Sequence, residues 1–123
     1  MGIIISSSLI DDLLGQIKKL NDEIDKLKGN KYFKNLINEA KKYIIANKYD
    51  EAERVLKKAL IINSSCAEIE NLLGILEEKR GNIILAQRYY RASLAFDPSY
   101  IPADNNLKRT VLYNRGETKV DFG

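Results

Sequence analysis

The 123-residue chain contains no histidine, no tryptophan, one cysteine (Cys66) and two prolines, Pro98 and Pro102. Without histidine the commonest general base is missing. A single cysteine excludes an intramolecular disulfide, and with no histidine it leaves no Cys/His zinc site. No glycine-rich phosphate loop occurs, so neither a metal nor a cofactor is expected and the chain does not read as an enzyme. Net charge is also scarce. Twenty Lys and Arg against seventeen Asp and Glu leave +3, too little to argue for nucleic acid. The opening "MGIIISSS" has no basic residue before its three consecutive apolar side chains and reads as neither a signal peptide nor a membrane span. It matches the Met-Gly-x-x-x-Ser myristoylation pattern through Gly2 and Ser6, a weak pattern read here as an ordinary terminus. No membrane association is expected, and the lone thiol suits a reducing, cytoplasmic setting.

What the chain has in quantity is helical periodicity. Ser8 with Asp11 resembles a capping box opening the first pattern. From there Ile10, Ile17 and Ile24 recur every seven residues, with Leu13, Leu20 and Leu27 at the complementary positions. Isoleucine at a and leucine at d is the combination that parallel two-stranded coiled coils favour. In this register Glu23 occupies g and Lys28 the following e, an attractive interchain pair, while Leu9 and Leu14 widen the apolar face. Residues 1–30 are therefore expected to form an oligomerising amphipathic helix, with a homodimer favoured; the alternative is a helix that caps its own domain. Gly29 and Asn30 mark the expected break after it.

Five further helices are expected at about 32–46, 49–62, 66–80, 83–96 and 101–114. Asn47 with Lys48, Ser64 with Ser65, Gly81 with Asn82, and Asp97 with Pro98 separate them, and Ser65 with Glu68 suggests another capping box. Such short connections require antiparallel neighbours. An offset of 34 residues aligns Ala52 with Ala86, Leu56 with Tyr90, Ala59 with Ser93, Leu60 with Leu94, and Asn47 with Gly81. Within the third of these helices lies Gly74, which costs about 1 kcal/mol relative to alanine and so needs an offsetting contact. A close approach near Ala86 is the expected one, with Leu73, Leu76, Tyr90 and Leu94 interlocking around it.

Two helices per 34 residues in this pattern resemble the tetratricopeptide repeat. Leu73 and Gly74 look like the Leu-Gly pair of its helix A. Ala86, Tyr90 and Ser93 fill the small, aromatic and small positions of helix B, and Pro98 is the closing proline. The match is fullest over 67–100 and weaker over 33–66, where Ala40, Glu39 and Ser64 replace the glycine, leucine and proline. Residues 101–115 resemble a capping helix A. The resemblance implies an all-α fold of antiparallel hairpins in a right-handed superhelix over 31–116, preceded by the coiled-coil helix and followed by a tail at 117–123.

It also implies a partner-binding concave face lined by helix A. Carried over by position, that face comprises Lys34, Ile37, Lys41 and Ile45 from the first repeat, Glu68, Asn71, Ile75, Glu78 and Lys79 from the second, and Asn105, Arg109, Leu112 and Tyr113 from the cap. Paired amides at Asn71 and Asn105 suit reading a peptide backbone, and Lys41 with Arg109 would favour an acidic ligand. The bland alternative is ordinary solvated surface. A carboxylate clamp is not expected: Ile37, Leu72 and Pro102 stand where it needs polar or basic groups, although Lys41 and Asn106 are compatible. Glu77 and Glu78 read as solvated charge, Cys66 as a small helix-start residue, and the tail as a helix stop at Gly116 followed by a largely disordered end. The function implied is non-enzymatic binding of a protein or peptide. The alternative is a scaffold subunit whose repeats stack in a larger complex.

Overall fold

The structure, a computed structural model, describes residues 6–112 and 119–123. Five helices account for nearly all of them: α1 (Ser7–Ile45), α2 (Tyr49–Ile62), α3 (Ala67–Lys79), α4 (Ile83–Phe96) and α5 (Ile101–Leu112). No strand occurs among the described residues, so the fold is all-α. No described helix is long and apolar enough to cross a membrane. Gly2, Tyr113 and the expected helix stop at Gly116 lie outside the described residues.

The chain divides into two compact units, Met1–Tyr32 and Phe33–Gly123. In the first, the helix presents its apolar residues to solvent. Ile10, Leu13, Ile17, Leu20, Ile24 and Leu27 are all exposed, Leu27 to 70%.

The second unit is built on a repeated hairpin. α3 packs against α2, α4 and α5, and α4 packs against α5. The turns on either side of α2 and α4 repeat residue by residue at the 34-residue offset. Asn47 (φ 62°) and Gly81 (φ 88°) both adopt the left-handed conformation that ends a helix. In each case the next residue donates its N–H back across the turn, Lys48 to the Tyr43 carbonyl and Asn82 to the Glu77 carbonyl, both at 2.8 Å. The far ends agree as well: Asn63 (φ −143°, ψ 102°) and Asp97 (φ −142°, ψ 96°) leave their helices in the same extended conformation. Ala52 and Ala86, Leu56 and Tyr90, and Ala59 and Ser93 are fully buried in matching places. Around them Leu36, Ile37, Ala40, Ile44, Ile69, Leu72 and Leu76 complete one hydrophobic core.

Three local expectations are corrected. The helix does not break at Gly29 and Asn30 but runs from Ser7 to Ile45. A glycine terminates a helix when it turns left-handed, and Gly29 is not among the positive-φ residues; in helical conformation it only weakens the helix. The first helix also starts earlier than the Ser8 box implies. The Ser6 carbonyl accepts the N–H groups of Leu9 and Ile10, and the Ser8 hydroxyl pairs with that of Ser6 at 2.7 Å. Nor does Ser65 cap α3: the N-cap is Cys66, without a side-chain cap bond, and Glu68 instead meets Lys41. Salt-bridge geometry thus takes the carboxylate that a capping box would need.

Candidate peptide groove

Gly74 supplies the site with its foundation. A Cβ added there would meet the Tyr90 ring, with Cδ1 at 2.6 Å and Cε1 closer still. The close contact is therefore an aromatic ring lying over α3, not the Ala86 methyl. One turn further along the same face, Glu78 Oε1 accepts the Tyr90 hydroxyl at 2.8 Å. Arg109, from α5, donates to both oxygens of the same carboxylate, at 2.6 and 2.7 Å. The Arg109 and Glu78 side chains are 6% and 8% exposed, so the pair is shielded from water. Burial pushes the Tyr90 hydroxyl pKa far up, helped by the adjacent Glu78 charge. The hydrogen bonds to Glu78 raise that of Arg109 despite its burial, and the guanidinium stays charged. This arrangement pins α4 and α5 to α3.

Beside it sits a second, neutral network. Asn71 on α3 and Asn106 on α5 have no exposed surface, and Asn106 Nδ2 donates to Asn71 Oδ1 at 2.8 Å. Both amides then turn to residues 119–123, which have no regular secondary structure. Asn106 Oδ1 accepts the Asp121 N–H at 2.8 Å. The Asp121 carbonyl accepts from Asn106 Nδ2 at 2.8 Å and from Asn71 Nδ2 at 2.9 Å. One residue's main chain is thus held by donor and acceptor together. Asn105 Nδ2 donates to the Asp121 carboxylate at 3.0 Å, while Val120 and Phe122 pack on the hydrophobic core. Close by, burial raises the Tyr100 hydroxyl pKa well above its ordinary value, with the charges of Glu68, Cys66 and Asp121 adding to it.

The structure brings only part of the expected face together here. Asn71, Asn105, Glu78 and Arg109 converge at the α3–α5 side. Lys34 and Ile37 lie elsewhere, lining with Phe33, Asn38 and Glu68 an open hollow of about 250 Å³. Ile75 is fully buried in the core, with no surface to offer a ligand. Ile45 and Leu112 are strongly exposed. The basic character expected of the face is corrected. Lys41 is paired with Glu68 at 2.9 Å and Arg109 with Glu78, so neither cation stands free. The Glu77–Glu78 reading changes too: Glu77 is buried and accepts from Arg80 at 3.1 Å and Asn82 at 2.7 Å, and the half-buried Glu78 has its side chain largely covered. The two carboxylates do diverge around α3.

Two participants lay outside the expected set. Asn106 belongs to the buried stripe Ala103, Asn106, Thr110, whose i, i+3, i+7 spacing was the available signal. The segment at 119–123 was expected to be disordered, yet it is seated on α3 and α5. Its signal was Val120 and Phe122 alternating about Asp121, a period suited to an extended chain with one packed face.

No family model matches the chain, and no curated protein or solved structure matches it.

Proposed function

We propose that the chain is a non-enzymatic protein-interaction module, tetratricopeptide-like in design, that holds the extended main chain of a protein or peptide partner against α3 and α5. One observation carries this reading: Asn106, wholly buried, engages both the N–H and the C=O of a single residue, Asp121, and Asn71 doubles the bond to the carbonyl. Amides so placed recognise backbone with little regard to side chain, and leaving them unpaired costs about 1–3 kcal/mol each. The direct test is selection from a random peptide library on the immobilised full-length chain, with Asn106→Leu as the control. Peptides enriched by the parent and lost on a control of comparable melting temperature support the reading. Equal enrichment on both removes it.

A second property rests on its own observation. The exposed Ile/Leu seam from Ile10 to Leu27 favours a homodimer through α1, because a second copy supplies matching knobs and holes for the same a/d pattern. Sedimentation equilibrium should show a dimer that dissociates in the Ile17→Asn/Ile24→Asn variant. A constant monomer mass would overturn it. Open-ended growth that survives those substitutions would favour the alternative of stacked repeats.

A further inference from the structure

The α3–α5 side of the groove is already filled, and by residues of the same chain. We infer that residues 120–123 are a resident ligand: the groove takes an extended peptide with an apolar residue, an aspartate, an aromatic residue and a glycine in succession, and an outside partner of that chemistry binds by displacing the chain's own copy. The inference rests on the peptide-binding reading above and adds to it the sequence class and the competition.

Each of the four positions carries its own requirement. At 121 the main chain is held by Asn106 and Asn71, a contact that a proline, lacking the N–H, cannot complete. The Asp121 carboxylate uses both oxygens, Oδ2 toward Asn105 Nδ2 and Oδ1 toward the Gly123 N–H, each at 3.0 Å. An acidic residue is thus accepted by a neutral amide, without calling on Lys41 or Arg109. Val120 and Phe122 flank it and pack on the core. Gly123 has φ +97°, and a Cβ there would come within 2.5 Å of Tyr100 Oη, so a side chain at this position meets both backbone strain and a steric obstacle.

Displacement is feasible because the segment belongs to no helix or sheet, so its contacts can be exchanged for the same contacts from another chain. Its advantage is the tether. Six residues separate Leu112 from Lys119, and a short tether corresponds to an effective concentration on the order of millimolar. A free peptide with a Kd of about 100 micromolar or tighter should therefore bind the parent at least about tenfold more weakly than it binds a chain whose own copy is released.

The test uses a fluorescein-labelled Lys-Val-Asp-Phe-Gly peptide, titrated by anisotropy against three full-length chains. These are the parent, the Asp121→Pro/Phe122→Ser variant, and that variant with Asn106→Leu added. The double variant should bind at least about tenfold more tightly than the parent, and the third chain should lose binding. A peptide with serine in place of phenylalanine should bind the double variant weakly, a readout independent of how well the Asn106→Leu chain folds. Equal affinity for parent and double variant, with loss in the third, would overturn the resident ligand and leave the groove reading standing. Absence of binding to all three would overturn both. Self-association that disappears in the double variant would place the segment in a second copy and overturn occupancy within one chain.

Discussion

Met1–Tyr32 and Phe33–Gly123 share one helix and treat its apolar residues in opposite ways. In α1, Leu36, Ile37, Ala40 and Ile44 are 0–4% exposed, whereas Ile10, Leu13, Ile17, Leu20, Ile24 and Leu27 are 41–70% exposed. Residue type does not separate the two groups, since both are aliphatic at helical spacing. What separates them is packing: Leu36, Ile37, Ala40 and Ile44 belong to the hydrophobic core of Phe33–Gly123. The same contrast extends to polar residues: Arg109 and Glu78 are locked together out of water, while Asp11, Asp12 and Lys18 are solvated.

The largest effect is expected at the buried ion pair. Arg109→Ala leaves Glu78 buried with only the Tyr90 hydroxyl and should cost about 3–5 kcal/mol in urea denaturation. An exposed substitution such as Lys18→Ala should stay within about 0.5 kcal/mol. Ile44→Ala should follow at about 2–5 kcal/mol, against about 0.5 kcal/mol or less for Ile17→Ala measured at concentrations where the chain is monomeric. Equal losses at the two isoleucines would show that Ile17 is covered.

The glycines sharpen the contrast. Gly74→Leu drives a side chain into the Tyr90 ring and should cost about 1–3 kcal/mol or more. Gly29→Ala meets nothing within 4 Å and should instead stabilise, by up to about 1 kcal/mol. Thermal melting of the two variants in parallel tests both signs. The smallest effect concerns Glu70, whose pKa burial raises above the ordinary carboxylate value. Its folded form holds a proton more tightly than the unfolded chain, so its ionisation works against folding at neutral pH and ceases to do so as pH falls through the carboxylate range. Glu70→Gln should melt slightly higher than the parent at pH 7, and the gap should narrow toward pH 4.

The parts of this molecule that were legible in advance are those set by neighbours in sequence. α2 and α4 occupy the expected residues, and the Asn47 and Gly81 turns were marked by residue types that tolerate positive φ. Gly74 was recognisable as a contact point with Tyr90 among the side chains around it, but that the Tyr90 ring and not the Ala86 neighbourhood makes the closest approach was not. Tyr90 and Ala86 lie on the same face of α4, and sequence spacing alone does not say which of them reaches across. Asn71 and Asn105 were picked out by their 34-residue spacing, but the buried partner of Asn71 is Asn106 at a spacing of 35. A one-residue step turns a helix by about 100°, enough to exchange a buried amide for an exposed one. The basic groove failed because its charges were counted without the carboxylates that packing brings beside them.

From sequence alone came α2 to α5, the turns that flank them, the 34-residue repeat and the a/d pattern, though not the continuity of α1 through Gly29, because each depends on backbone conformation and side-chain period within a few residues. Tertiary structure decided which amides are buried, which cations are neutralised, and that 119–123 lies on α3 and α5. Those outcomes join Asp121 to Asn71 and Arg109 to Glu78 across 50 and 31 residues of chain. Their existence depends on how the helices pack, and local periodicity carries no information about a contact made at that distance.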